Sequence, residues 1–254
     1  MLCIIFTFVK VAVVSGKGGV GKTTISLAMA KALAQKFKVG LFDADLTGAN
    51  THLQLEIVKD FVIKGETLYP AIANFDGVKL EYVSIALVSE AYVKWKGKTV
   101  EDFITQVMEN TDWHSDYIII DAPPGVHEDA VKAIELSDVV VFVTIPAKFA
   151  LLDLMRTIDL VADMGKPVAG VFVNFSKACC PFCNREFKLF DYNLDLNIPV
   201  IQEIPFGNIE IDINNLLSYL NNPITLTPKR RKVKAKVKRE AVKLLLKSIS
   251  KLGR

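Results

Sequence analysis

Between a Val-rich run, Lys10–Ser15, and a stretch of helical apolar spacing, Thr23–Phe37, the chain reads Gly16-Lys-Gly-Gly-Val-Gly21-Lys-Thr-Thr24. This is G-x-x-x-x-G-K-[ST] set between a strand and a helix, and it constrains the fold more than any other segment. Glycines in such a loop let backbone N–H groups turn inward, where a Cβ would block an approaching phosphate. Gly16, Gly18, Gly19, Val20 and Gly21 supply the cradle. Lys22 reaches the β- and γ-phosphates of a nucleotide, the Thr23 hydroxyl ligates Mg²⁺, and Thr24 continues the cradle. A phosphate loop at a helix N-terminus belongs to an α/β architecture.

Short Val/Ile-rich runs recur along the chain at Val11–Ser15, Val39–Asp43, Lys79–Ala86, Tyr117–Asp121, Val139–Ile145, Val168–Asn174 and Pro199–Glu203, with helical patterns between them. Runs apolar on both faces predict a mainly parallel sheet flanked by helices on each side. With 254 residues and 51% hydrophobic content, one good-sized core is expected. No run of eighteen apolar residues predicts a membrane span. The apolar start, Met1–Val9, lacks a basic n-region and a small-residue cleavage site, so it reads as a strand extension rather than a leader. Of four cysteines, three fall at Cys179, Cys180 and Cys183, which suggests metal chemistry in a reducing, cytoplasmic compartment.

Ile118-Ile119-Ile120-Asp121 is an apolar strand ending in an acid, suited to holding a Mg²⁺-bound water. Gly125, after Ala122-Pro123-Pro124, is placed to offer its N–H to a γ-phosphate. A second strand ends in Asp43-Ala44-Asp45. A carboxylate beside phosphates is electrostatically costly without Mg²⁺, so its position makes sense in a metal-dependent hydrolase.

Lys17 refines this picture. Lys17-Gly-Gly-Val-Gly-Lys-Thr-Thr24 resembles the deviant phosphate loop of the MinD/ParA/Mrp class of ATPases, a SIMIBI-like group of P-loop NTPases. That resemblance implies a homodimer in which Lys17 reaches the nucleotide of the other subunit. It also implies that Asp45 orients the attacking water and Asp43 supports the metal shell. It further places Asn174 on the adenine, with Ile204-Pro205-Phe206 closing the other side of the base.

Cys180-Pro-Phe-Cys183 presents two thiolates around a turn fixed by Pro181, enough for one edge of a soft metal centre. Two thiolates fill neither a tetrahedral zinc site nor a four-iron cluster, and a two-fold dimer supplies the missing pair. A thioredoxin-like redox role does not fit, because Asn174–Ala178 lacks the helix-capping turn such a site needs. Cys179 and Cys3 read as packed thiols. The three histidines, His52, His114 and His127, form no metal pattern.

Over roughly residues 10–220 the chain resembles the Mrp/ApbC-type iron–sulfur cluster carrier ATPases. The resemblance rests on Ser15–Thr24, Asp43-Ala-Asp45, Val93-Lys-Trp-Lys-Gly97, Asp116–Gly125, Ala150-Leu-Leu-Asp153, Cys180-Pro-Phe-Cys183 and Ile204-Pro205. It implies ATP and Mg²⁺ as cofactors, a [4Fe–4S] cluster held by Cys180 and Cys183 across a homodimer, and apo iron–sulfur proteins as clients. Zinc at the same position is the alternative metal. Three departures stand out. Leu46-Thr-Gly-Ala-Asn50 replaces Ile-Tyr-Gly-Pro-Ser, Val126-His-Glu-Asp129 replaces Thr-Gly-Asp, and Asn184 replaces the glycine after the second cysteine.

The sequence divides at Asn221-Asn222-Pro223 into an ATPase domain, 1–222, and a basic C-terminal segment, 223–254. From Lys229 to Arg254 there are twelve Lys/Arg and one acid, Glu240, which leaves the first 228 residues with 19 basic and 27 acidic side chains. Val233, Val237, Ala241, Leu244, Leu245, Ile249 and Leu252 fit one apolar helical stripe flanked by lysines. Three uses follow: packing on the body, binding an anionic membrane surface, or contacting nucleic acid. No aromatics interleave the charges, against a single-strand stacking platform. The rival to the cluster carrier is therefore a MinD/ParA-like positioning ATPase whose cysteines hold zinc. A small-molecule kinase or ligase is disfavoured because no separate substrate domain or lid is seen.

Overall fold

The computed structural model describes residues 8–45, 48, 50–85, 88, 100–190, 196–207 and 209–228. The basic segment Lys229–Arg254, the Val93–Gly97 match, Cys3, and Leu46, Thr47 and Ala49 of the first departure lie outside the described residues.

The sheet grows outward from β1, Val9–Val14. It lies between β8, Tyr117–Asp121, and β9, Val139–Thr144, parallel to both. Beyond β9 come β10, Pro167–Asn174, and β13, Val200–Ile204, both parallel. Beyond β8 come β2, Val39–Asp43, and β7, Val78–Ser84, also parallel. This doubly flanked parallel arrangement is the α/β class expected. Antiparallel strands finish one edge: β6, Ala71–Phe75, and β3, Glu56–Lys59. A small hairpin, β4 (Val62–Lys64) and β5 (Thr67–Tyr69), lies between them in sequence.

Strand alternation sorts the core into two layers. Val11, Val13, Leu41, Ile119 and Val141 face α1, Lys22–Leu33, and α5, Ile213–Asn221. Ala12, Val14, Phe42, Ile118, Ile120, Val140 and Phe142 face three helices on the other side. These are α2 (Val100–Asn110), α3 (Glu128–Leu136) and α4 (Lys148–Asp163). In β10 the register shifts between Val168 and Gly170. The extra residue explains why Val168 and Val171, three apart, share one face. Gly40 in β2 lies under Trp113: a Cβ there would sit 2.7 Å from the indole ring.

Strands β2 and β8 have the bounds expected from sequence. Helix α1 stops at Leu33, and Phe37 turns back to set its ring 5.0 Å from that of Tyr117. The strands between residues 56 and 75 lack a clear sequence signal because they are short and few of their side chains are buried; all four residues of β3 are exposed. A last strand, β14 (Ile224–Thr225), pairs antiparallel with Pro167 and Val168, so the sheet runs past the boundary expected at 222. Among the described residues no helix is long and apolar enough to cross a membrane.

Phe142 is fully buried at the centre of the second layer. Phe142→Ala should cost about 3–5 kcal/mol, seen as a lower denaturant midpoint at unchanged m-value.

Candidate nucleotide site and cysteine hairpin

The parallel register brings three strand ends together. Ser15 follows β1, Asp121 ends β8, and Asp43 ends β2 directly beside Asp121. Ligands of open parallel sheets bind at such carboxyl edges. The phosphate loop leaves β1 here, with Gly19 at φ 79° and Gly21 at φ 84°. Gly16 has no room for a side chain: a Cβ would lie 2.2 Å from the Asp153 carbonyl carbon of α4. Gly21 is closed in similarly by the Asn174 amide, at 2.2 Å.

Asp121 is the hub. Lys22 Nζ lies 2.7 Å from its Oδ1, Thr23 Oγ1 donates to its Oδ2 at 2.7 Å, and Ser26 Oγ donates to Oδ1 at 2.8 Å. Lys22 and Asp121 are both buried, a charge pair that survives only because hydrogen bonds fill the remaining lone pairs. A hydroxyl and a carboxylate at this spacing under a phosphate loop are a donor set for Mg²⁺. Residues Ser15, Lys17, Gly18, Gly19, Gly21, Lys22, Thr23, Thr24 and Asp45 line a single cavity of about 290 Å³ with Gly48, Asn50, Gln54 and Pro124. The donor chemistry and the open cradle fit a Mg²⁺–nucleotide.

Asp43 sits behind this cavity, buried. Burial first, and then the neighbouring Asp121 charge, push its pKa from 3.8 to about 6, against the Thr51 hydrogen bond, the Asp45 N–H and Lys22. The Thr51 hydroxyl donates to Asp43 Oδ2 and lies 2.7 Å from the Tyr82 hydroxyl, so a buried polar chain backs the carboxylate. Asp45 is held by the Gly48 N–H, 2.8 Å from its Oδ1, and its own N–H reaches Asp43 Oδ1 at 3.2 Å. Gly125, at φ 90°, donates its N–H to the Ser15 carbonyl at 2.9 Å. Lys17 sets its ammonium 4.4 Å from the centroid of the half-exposed Phe149 ring on α4, a cation–π contact.

Asn174 and Pro205 do not line the phosphate cavity. Asn174, buried at the end of β10, donates Nδ2–H to the Val20 carbonyl at 3.0 Å and accepts the Phe175 N–H at 3.0 Å. Pro205 opens the loop after β13, next to an exposed Phe206.

The cysteines stand apart on a short hairpin of β11, Ala178–Cys179, and β12, Glu186–Phe187. Its turn is closed by Cys180 N–H to the Arg185 carbonyl, 3.0 Å, and Asn184 N–H to the Cys180 carbonyl, 2.9 Å. The Phe182 N–H, then the Cys183 N–H and thiol, hold the Cys180 thiol below its ordinary value. That favours the thiolate a soft metal needs. Asn184 adopts φ 53°. Asparagine is among the few non-glycine residues that visit this region readily. Cys183 and Cys179 are exposed. Among the described residues no third His, Cys, Asp or Glu completes a metal site within one chain.

With this geometry in place, known proteins divide clearly. A family model described as "ParA: NUBPL iron-transfer P-loop NTPase" matches residues 8–242. The chain belongs to this family. An iron–sulfur cluster carrier protein of Pyrococcus abyssi is 32% identical over 234 residues, 85% of this chain and 79% of that one. A cytosolic Fe-S cluster assembly factor NUBP2 homologue of Culex quinquefasciatus is 30% identical over 213 residues, 80% of this chain and 83% of that one. A nucleotide-binding protein of Archaeoglobus fulgidus, solved with ADP, superposes with a TM-score of 0.60 at 22% identity. It covers 87% of this chain and 94% of its own, a likeness that shows the fold alone. This ParA-family chain is thus a P-loop NTPase by sequence and by fold.

Four contacts of this family member were not read from its sequence: Ser26 on Asp121, Thr51 on Asp43, Asp153 against Gly16, and Phe149 under Lys17. Ser26 alone carried a local signal, one helical turn after Lys22. Thr51 meets Asp43 from eight residues on, and the other two bridge segments distant along the chain.

Lys22→Ala would strip the cation from a carboxylate that is 1% exposed and paired with Asp43 across the strands. The loss in stability should be about 3–5 kcal/mol, and adding Asp121→Asn should recover most of it in a denaturant titration. Asp43 binds a proton more tightly in the folded than in the unfolded protein. Its contribution to stability is therefore full below about pH 4 and is lost as pH rises through about 6. In metal-free protein, Asp43→Asn should add about 3 kcal/mol at pH 7.5 and little at pH 4, read by thermal melts across that range.

Proposed function

We propose that the protein is a homodimeric, Mg²⁺-dependent ATPase that carries a [4Fe–4S] cluster on Cys180 and Cys183 of two subunits and delivers it to apo iron–sulfur proteins. The observation that carries this reading is one chain holding both a complete phosphate-loop cavity and a two-thiol hairpin, with Cys183 exposed and Cys180 half-buried. Two thiols supply half of a four-thiolate set, and a second copy supplies the rest. The names of the relatives from Pyrococcus and Culex support the same cargo.

In this reading the backbone of Gly16–Gly21 cradles the phosphates. Lys22 turns from Asp121 to the β- and γ-phosphates. Thr23 and Asp121 hold Mg²⁺, which neutralises charge developing on the transferred phosphoryl group. Asp45, steadied by the Gly48 N–H, orients the attacking water. Gly125 releases the Ser15 carbonyl to offer its N–H to the γ-phosphate. Lys17 leaves Phe149 to reach the partner's nucleotide. Asn174 and Pro205 bracket the base, and Asn174 already fixes the Val20 peptide from behind.

Anaerobic reconstitution with iron and sulfide tests the cargo. The expected result is a broad visible band and about four irons per dimer, lost in Cys180→Ser/Cys183→Ser. No iron uptake by the native protein, or equal uptake by the double variant, overturns the carrier reading; zinc at about one per dimer points to the closed structural site instead. Asp45→Ala should bind ATP normally and hydrolyse it about 100-fold more slowly. A matching loss of ATP affinity would remove Asp45 from the water-orienting role.

A further inference from the structure

The cysteine hairpin is rooted beside the end of the phosphate loop, at the residues that the proposed function sets around the base. Asn174, tied by its side chain to the Val20 carbonyl of the phosphate loop, precedes Ala178 of β11 by four residues. The intervening Phe175 holds φ 55°, in the left-handed region. For a bulky side chain that is a strained conformation. Its ring lies 5.5 Å from that of Phe206 at an interplanar angle of 57°. The Phe206 ring is 61% exposed on the loop that opens with Pro205.

Two backbone bonds lace that loop to the hairpin root. The Ser176 N–H donates to the Ile204 carbonyl at 3.0 Å, and the Phe206 N–H donates to the Lys177 carbonyl at 2.8 Å. Lys177 then reaches both carboxylate oxygens of Glu186 on the far strand of the hairpin, each at 2.8 Å. The hairpin, the loop after β13 and the end of the phosphate loop thus meet at four consecutive residues, Asn174–Lys177.

We infer that the Phe175–Phe206 pair couples the nucleobase to the cysteines. A base stacked on the exposed Phe206 ring shifts the laced loop, resets the strained peptide at Phe175, and so changes the presentation of Cys180 and Cys183 within one subunit. Stacking suits the site because an aromatic ring accepts any purine face without needing a hydrogen-bond match. The inference rests on the nucleotide-binding reading above, but not on the identity of the cargo.

The test reads thiols rather than iron. Site-resolved alkylation rates of Cys180 and Cys183 are measured by mass spectrometry on the full-length Lys17→Ala protein, which removes the residue assigned to cross-subunit contact. The conditions are no ligand, saturating Mg-ATP, and saturating Mg-tripolyphosphate, which fills the cradle without a base. ATP should change the rates about five-fold or more, and tripolyphosphate should leave them as in the free protein. Phe206→Ala at saturating ATP should behave like the ligand-free protein, while Phe206→Tyr keeps the response. Equal effects of ATP and tripolyphosphate, no effect of either, or a full response in Phe206→Ala each overturn the coupling. Absence of ATP binding by calorimetry would remove the nucleotide reading and the coupling with it. Failure to load iron would remove only the cargo.

Discussion

A single buried carboxylate, Asp121, holds the nucleotide end of the molecule together. It closes the strand beside β1, so the parallel register delivers it under the phosphate loop without any side-chain choice. Once there it organises Lys22, Thr23 and Ser26, all from the first turns of one helix. An unpaired charge at 1% exposure would be intolerable, and Lys22 of the phosphate loop neutralises it. The same argument explains the raised pKa of Asp43. Burial, and then the charge of Asp121 on the adjacent strand, make Asp43 hold its proton more tightly than a free carboxyl.

Around this hub the loop is shaped by contacts from far along the chain. The α4 backbone presses on Gly16, and the end of β10 presses on Gly21 through Asn174. The loop is therefore clamped at both ends, and its conformation is shared with the elements that flank the exposed Phe149 and the cysteine hairpin. The hairpin itself is a light structure of two-residue strands, with a turn that depends on backbone N–H groups aimed at Cys180 and on the left-handed Asn184. It is built to present two thiols outward rather than to bury them.

Legibility followed burial. Strands with apolar residues on both faces, such as Tyr117–Asp121 and Val39–Asp43, announce themselves by composition because each position must be hydrophobic. The Glu56–Phe75 insertion did not, since its outer strands remain in water and need no apolar pattern. The helix after the phosphate loop ended earlier than its apolar spacing implied, because Phe37 packs on Tyr117 from a turn. The phosphate-loop residues were readable as a string, as was Cys-Pro-Phe-Cys. What lies beneath them was not: Asp153 on Gly16 and Phe206 on Phe175 are juxtaposed by crossovers of the sheet, and Thr51 returns to Asp43 from the segment that follows β2.

By itself the sequence determined the chemistry this chain offers: a phosphate cradle, two strand-end acids and a pair of thiols around a turn. Those are local properties, set by residue type and spacing over a few positions. Tertiary structure decided which of these groups share an environment. Burial at the sheet edge, and then the parallel register that sets Asp121 beside it, raised the pKa of Asp43, and the helix packing put Phe149 beneath Lys17. The lacing of the β10 and β13 loops rooted the cysteine hairpin beside the Asn174 side chain that holds the phosphate loop. Such pairings depend on strand order and on desolvation at a crowded sheet edge, which no spacing along the chain encodes.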